Sequence, residues 1–226
     1  MFVSETMHTD LIAVRPQTKL AEVRALMQKN NFRHLPVVDK EGKLVGIVTD
    51  RDMRDAHPSS LISEEEYQRT LDRVMQHSVE EIMTKSPLTI SVYFTLQDTL
   101  MVMGQKKVGA LPVVDDKGYL KGIMSTRDLL RAFVNIMGIG EPGTLLCILV
   151  QEEAGQLKKI VDIATEENVS MGSVLVARNW DKGKRAIFPY LLTNNVMSIK
   201  KKLLAAGFEF TDPMKWYLDQ VPKKKE

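Results

Sequence analysis

Three residues at the end of a predicted strand have the chemistry to hold a phosphorylated sugar. The segment GIVTDRD, Gly46–Asp52, runs from an apolar strand end to Thr49 at a predicted helix N-cap. The first turn of a helix presents unpaired backbone N–H groups and the positive end of the dipole, which suit a phosphate. Arg51 adds charged donors, and the carboxylate of Asp52 can accept hydrogen bonds from a ribose diol. The turn therefore predicts nucleotide binding.

The same chemistry recurs later in the chain as GIMSTRD, Gly122–Asp128. Here Ser125 takes the N-cap position, and Arg127 and Asp128 take the places of the arginine and the carboxylate. A hydroxyl residue followed three positions later by an acid is also a capping box that only completes a helix. Two copies, each with a preceding glycine and the same Arg-Asp pair, favour the nucleotide interpretation.

Each turn ends a longer segment that is written twice. LPVVDKEGKLVGIVTDRD at Leu35–Asp52 aligns without a gap on LPVVDDKGYLKGIMSTRD at Leu111–Asp128. Such self-similarity indicates a duplicated structural unit. We expect one repeat in residues 1–60, a second in 79–135, and a helical connector between them at 61–78.

Within each repeat, the spacing of apolar residues predicts the order β-α-β-β-α. In the first copy, Leu11–Val14 is a candidate strand, Leu20–Met27 carries apolar residues at helical spacing, and a polar turn ending at Gly42 separates two further strands. One unit of this size buries little apolar surface, so the two copies are expected to cover each other around a pseudo-twofold axis.

The pattern changes at the glycine-rich linker 136–143, which marks the start of a second domain at 144–222 with a basic tail at 223–226. Its apolar segments predict the order β-α-β-β-α-β, a ferredoxin-like topology. The fold class is therefore α+β, with two β-α-β-β-α repeats followed by one ferredoxin-like domain.

Composition excludes several function classes. The net charge of +2 in 226 residues gives no strong field for nucleic acid or an anionic membrane, and the apolar runs are too short to span a bilayer. The single cysteine, Cys147, permits no disulfide within the chain. The four histidines lack metal-site spacing, and no catalytic constellation is found, so we expect a non-enzymatic cytoplasmic protein without a metal or catalytic cofactor.

The repeats resemble tandem CBS domains, which form a Bateman module, in their LPVVD segment, glycine turn and GI-x-[TS]-x-RD ending. The resemblance implies an adenosine-containing ligand between the repeats: AMP, ADP or ATP, with S-adenosylmethionine or NADH as alternatives. It implies that one pocket combines the first turn with the first strand and pre-LPVV segment of the other repeat. The residues of this pocket are Thr49, Arg51, Asp52, Leu88 and Gly109.

The resemblance implies a second pocket formed by Ser125, Arg127, Asp128, Ile12 and Arg33. Gly109 leaves room beside a base, whereas its counterpart Arg33 either meets phosphate or fills the cleft, so unequal affinities are expected. Ordinary core packing is an equal alternative for Ile12 and for its counterpart in the first pocket.

In the second domain, Gln151–Leu157 resembles the Asp-x-x-Gly-x-Leu turn of ACT-type regulatory domains, with Glu152 or Glu153 at the acidic position and Gly155 at the glycine. The resemblance implies an effector turn, although a glycine that only caps a tight turn is an equal alternative. Two CBS-like repeats with an ACT-like domain resemble acetoin-utilisation B-type regulatory proteins. This resemblance implies a homodimeric sensor with an unknown regulated partner. The alternative is a dimeric scaffold with vestigial nucleotide pockets.

Overall fold

The computed structural model describes residues 1–181 and 183–211, which form two compact units, Met1–Leu130 and the described residues from Arg131 onward. The predicted basic tail and the last part of the predicted second domain, from residue 212 onward, lie outside the described residues. Each unit has its own sheets and its own apolar core, and the repeated sequence lies almost entirely in the first.

The first repeat begins with a short 3-10 helix, Val3–Glu5. The predicted opening strand Leu11–Val14 is reduced to a single parallel bridge between Val14 and Val37, since Pro16, two residues later, has no N–H to extend a ladder. The main elements of this repeat are α1 (Leu20–Asn30), β1 (His34–Val38), β2 (Leu44–Thr49) and α2 (Asp50–Asp55).

The connector contains helix α3, Glu64–Val74, whose N-cap Ser63 accepts a hydrogen bond at Oγ from the Glu66 N–H at 3.3 Å. The second repeat then reproduces the first. Its elements are β3 (Thr84–Lys85), β4 (Ile90–Ser91), α4 (Leu96–Lys106), β5 (Ala110–Val114), β6 (Leu120–Ser125) and α5 (Thr126–Ile136).

The sheet of each repeat is completed by a segment from the start of the other repeat. β3 pairs antiparallel with β2, and the equivalent segment at the start of the chain pairs with β6 through the His8–Ile123 bridge. The polar turns also meet, because the Leu44 N–H donates to the Gly118 carbonyl and the Leu120 N–H donates to the Gly42 carbonyl. The two repeats are therefore one module held by exchanged backbone bonds.

The core of the first repeat shows why these elements form. Leu20, Val23 and Met27 lie on one side of α1 at helical spacing and are buried against strand β1, whose Leu35 and Val37 are fully buried. The Asp39 carboxylate accepts hydrogen bonds from the N–H groups of Glu41 and Lys43. The Asp of LPVVD is thus a turn residue that sets the register of β1 and β2.

The second unit shows the predicted order β-α-β-β-α-β, with one strand split in two. Its sheet runs β11-β8-β10-β9, and short β7 pairs with the far end of β10. Its core joins Ile148 and Ile187 of the sheet to Ile160 and Leu203 of the helices. The elements are β7 (Thr144–Leu145), β8 (Ile148–Gln151), α6 (Gln156–Glu166), β9 (Met171–Asp181), β10 (Lys184–Leu191), α7 (Met197–Ala205) and β11 (Glu209–Phe210).

Candidate functional site

A cavity of about 480 Å³ lies between the two repeats of the first unit. Four of the five residues predicted for the first pocket line it: Thr49 and Arg51 from the turn after β2, and Leu88 and Gly109 from the second repeat. The sheet pairing explains this arrangement, because β3 lies against β2 and leads directly to the segment that contains Leu88. The turn of one repeat therefore faces the strand starts of the other.

Asp52, the fifth residue, is used differently from the expectation. Its Oδ2 atom accepts hydrogen bonds from the backbone N–H and the hydroxyl of Thr49, both at 2.7 Å, and its own N–H donates to the Thr49 hydroxyl at 3.2 Å. This is a capping box, so the structural alternative is realised. Oδ1 of Asp52 makes no hydrogen bond within the described chain, and a ribose role for it stays a prediction.

Two expected phosphate donors are weaker than the sequence suggested. The Thr49 hydroxyl proton is directed to Asp52 and is not offered to the cavity. Helix α2 has only six residues, which gives a small dipole at its N-terminus. Recognition of an anion in this cavity must therefore come mainly from charged side chains such as Arg51.

Arg33, which the resemblance assigned to the second pocket, lies in the wall of the first cavity. The reason is the register of the first sheet: His34 pairs with Thr49, and the Arg33 carbonyl accepts a hydrogen bond from the Asp50 N–H at 2.9 Å. Arg33 is thus fixed beside the first turn.

Sequence reasoning assigned the basic lining residues His34, Arg54 and Lys107 to neither pocket. Lys107 ends α4 in the left-handed conformation, with φ of 55°, two residues before Gly109. Arg54 lies on α2 one turn after Asp50 and pairs with it at 3.2 Å. In the sequence, these residues differed from their neighbours only in lying close to predicted site residues. Which way their side chains point depends on the tertiary fold.

Burial, and then repulsion from the Arg33 guanidinium, lowers the pKa of His34 below its ordinary value of 6.5; the carboxylates of Asp52 and Asp50 oppose this shift only partly. Unfolding therefore takes up a proton at this side chain as pH falls through 6.5. We expect the stability of the ligand-free protein to decrease between about pH 7 and pH 5.5, as measured by urea unfolding.

The matched control is His34→Ala. It introduces the residue type that the second repeat has at the matching strand position, Ala110. This variant should lose a smaller part of its stability over the same pH range. An equal decrease in both proteins would contradict the assignment of this pH dependence to His34.

The second turn repeats the capping geometry. The Ser125 hydroxyl donates to Oδ2 of Asp128 at 2.6 Å, and the Ser125 N–H donates to the same atom at 2.9 Å. Arg127 is exposed. Ile12 packs against the core of the first repeat, as the core alternative expected, whereas Leu88 is 44% exposed in the first cavity. The residues predicted for the second pocket are therefore divided between the second turn, a core and the first cavity.

The predicted effector turn of the second unit is an open surface feature. Gly155 is the N-cap of α6 with φ of +90°, and a side chain added there would meet no atom within 4 Å. This left-handed conformation favours glycine. It therefore supports the alternative in which Gly155 only caps a tight turn. Glu153 is exposed beside it, and Glu152 forms an ion pair with Arg185.

The described residues contain neither a metal-binding cluster nor a membrane-spanning helix. In residues 1–181 and 183–211, no three or more His, Cys, Asp or Glu side chains cluster in a way that would hold a metal ion. Over those same ranges, no helix combines the length and apolar character needed to cross a membrane.

The family model described as CBS domain matches residues 3–59 and 79–135, which are the two repeats. The chain belongs to the CBS domain family. Among curated proteins, a CBS domain-containing protein of Dictyostelium discoideum is 34% identical over 137 residues, covering 61% of this chain and 94% of that protein.

An inosine-5'-monophosphate dehydrogenase of Bifidobacterium longum is 39% identical over 126 residues. This match covers 55% of the present chain but only 21% of the dehydrogenase. The likeness therefore concerns the CBS pair, and the activity of the dehydrogenase is not carried over by it.

Solved structures agree with this assignment. The crystal structure of CBSX2 from Arabidopsis thaliana in complex with AMP matches with a TM-score of 0.51 and 29% identity, covering 60% of this chain and 97% of that one. A Vibrio cholerae protein named for acetoin utilization, AcuB, matches with a TM-score of 0.52 and 25% identity, covering 63% of this chain and 98% of that one.

Proposed function

We propose that this CBS protein is a non-catalytic regulator that binds an adenosine-containing ligand of the AMP, ADP or ATP type in the cavity between its repeats. The observation that carries the proposal is the cavity itself, in which Thr49 and Arg51 of the duplicated turn face Leu88 and Gly109 of the other repeat. A volume of about 480 Å³ falls within the range of small-molecule sites. The CBS-pair neighbour bound to AMP supports the same ligand class.

The walls of the cavity divide by chemistry in a way that suits a nucleotide. Pro87, Leu88 and Val108 supply apolar surface for a base, while Arg51 supplies charged donors for a phosphate. Asp52 lies directly behind Thr49, and its unused Oδ1 is the carboxylate oxygen proposed to accept hydrogen bonds from the ribose. S-adenosylmethionine and NADH share the adenosine part and belong in the same test.

Regulation requires more than binding. A ligand shifts the arrangement of two modules only by the difference in its affinity for the two arrangements. The second unit is proposed to be a ferredoxin-like, ACT-type domain that transmits this shift or senses a second ligand near Glu153 and Gly155. Its support is the order β-α-β-β-α-β with the sheet order β11-β8-β10-β9. The whole would then resemble acetoin-utilisation B-type regulators.

We further propose a cytoplasmic homodimer. Its support is apolar surface on two helices of the first unit: Leu100 and Met101 on α4 are 49% and 61% exposed, and Leu130 on α5 is 62% exposed. Residues of this kind in contiguous patches mark interaction surfaces. Light scattering on the purified chain would measure the mass directly.

The alternative function is a dimeric scaffold whose nucleotide pockets are vestigial. One observation favours it: in both turns the hydroxyl and the carboxylate already satisfy each other, by hydrogen bonds of 2.7 Å and 2.6 Å. A turn built only to cap a helix would look the same.

Asp52→Ala separates the two functions when it is compared with Asp98→Ala. Asp98 forms the same kind of capping box with Thr95 at the start of α4, away from the cavity. Both variants should lose a cap, at about 0.5–2 kcal/mol of stability. Only Asp52→Ala should also weaken AMP binding, by about 1–3 kcal/mol, in isothermal titration.

Equal AMP affinity in the parent and Asp52→Ala would show that the ribose assignment is wrong. A parent protein that binds none of AMP, ADP, ATP, S-adenosylmethionine and NADH would favour the scaffold.

A further inference from the structure

The cavity carries more unpaired positive charge than one phosphate group requires. Arg33, Arg51 and Lys107 line it, and within residues 1–181 and 183–211 none of the three has a carboxylate partner within 4.0 Å. Arg54 differs, because its guanidinium lies 3.2 Å from the Asp50 carboxylate. Three cations thus line one concave space whose carboxylate, Asp50, is paired with Arg54 and with none of the three.

These cations approach the cavity from both repeats. Arg33 and Arg51 flank the first turn, since the Arg33 carbonyl is bound by the Asp50 N–H at 2.9 Å. Lys107 comes from the end of α4 in the second repeat. Like charges on opposite walls of a concave surface add their fields in the space between them and attract anions there.

The charge is a property of this cavity and not of the duplicated motif. Moved by the length of the repeat, Lys107 corresponds to Asn31, Arg54 corresponds to Leu130, and Arg33 corresponds to Gly109. Only Arg51 has a basic counterpart, Arg127. The shared motif therefore supplies one cation, Arg51. The other two, Arg33 and Lys107, lie at positions where the other repeat has a neutral residue.

A phosphate monoester brings a charge of about −1.5 to −2 near neutral pH. Each further phosphoryl group extends the ligand and adds negative charge, which suits cations on two walls. S-adenosylmethionine has the opposite property, because its sulfonium is positive and it has no phosphate. Lysine and arginine side chains form strong, charge-assisted hydrogen bonds with phosphate oxygens.

We propose that the cavity selects adenosine ligands with a chain of two or more phosphates, ADP or ATP, over AMP and S-adenosylmethionine. The selection resides in Arg33 and Lys107, which reach phosphates beyond the one held by Arg51. This inference rests on the proposed nucleotide-binding function and adds to it the class of ligand.

The test is isothermal titration of the full chain with the sodium salts of AMP, ADP and ATP and with S-adenosylmethionine, without divalent cations. We expect ADP or ATP to bind at least about tenfold more tightly than AMP, the effect of one charge-assisted contact. The preference should shrink as salt rises, because exposed charges are screened.

Lys107→Asn tests the assignment. Asparagine tolerates the left-handed backbone at this position, as Asn31 shows at the counterpart with φ of 53°. The variant should lose most of the preference for ATP over AMP while its AMP affinity changes less than threefold, roughly the scatter of one screened surface charge. Lys106→Gln, one residue earlier on α4, is the matched control and should retain the preference.

The outcomes are distinguishable. If the parent binds no adenosine compound, the proposed function itself is wrong. If it binds AMP or S-adenosylmethionine as tightly as ATP, nucleotide binding stands and the selection for a phosphate chain is overturned. A preference for ATP that survives Lys107→Asn combined with Arg33→Gln would also overturn it, because these cations would then play no part.

Discussion

Gly109→Trp should abolish adenine-nucleotide binding, with a loss of at least about 100-fold in affinity, while the protein stays folded. Gly109 lies in the cavity wall, and an added Cβ would meet only the His34 ring, at 3.6 Å. That is an ordinary contact, and the backbone here is not left-handed, so a side chain can be accommodated at its base. The indole would instead occupy the space proposed for the ligand. Titration with AMP and ATP measures the effect.

The matched control is Gly104→Trp. Gly104 lies on α4, five residues before Gly109, and an added Cβ would meet no atom within 4 Å. This variant carries the same added ring on the same repeat and should bind nucleotide like the parent. Normal binding by Gly109→Trp would contradict the location of the site. Loss of binding in both variants would show that bulk on this repeat, and not the filled cavity, is responsible.

Leu35→Ala should have the largest effect on stability, a loss of about 2–5 kcal/mol in the free energy of unfolding. Leu35 is fully buried in β1, the strand of the repeated LPVVD segment, and packs in the core of the first repeat. Truncation removes apolar burial and leaves a cavity that the paired strands β1 and β2 cannot close by moving. Urea unfolding followed by circular dichroism measures the loss.

Leu88→Ala serves as the contrast. Leu88 is 44% exposed and lines the cavity, so the same truncation should cost less than about 1 kcal/mol of stability and should instead weaken nucleotide binding. Equal losses of stability in the two variants would show that Leu88 is a core residue, as the packing alternative holds. Its counterpart Ile12 is partly buried and packs against the core of the first repeat.

The difference between matching positions follows from how the module is built. The repeats share backbone geometry to the level of single residues: Asn31 and Lys107 both end a helix with left-handed φ, at 53° and 55°. Their side chains differ in charge, and only Lys107 lines the first cavity. A duplicated scaffold with divergent side chains therefore gives two turns of one geometry with unequal surroundings.

The sequence by itself determined the features that depend on local pattern. Duplication, the order of elements in the second unit, the Ser63 cap and the hydroxyl–acid turns were all predictable, because periodicity, turn residues and caps act over a few neighbouring positions. Four of the five residues that the CBS resemblance assigned to the first pocket line the cavity, since the resemblance carries a fixed spatial relation between the repeats.

Only the tertiary structure decided which side chains share the cavity and what each of them contacts. Sequence reasoning assigned Arg33 to the second pocket and did not consider Lys107, whereas the structure has both in the wall of the first cavity, where strand register and the pairing of β3 with the other repeat bring the two repeats together. It left open whether Asp52 caps the helix; the 2.7 Å bonds to Thr49 show that it does. Contacts between residues far apart in the chain are set by the packing of whole elements, which no short pattern contains.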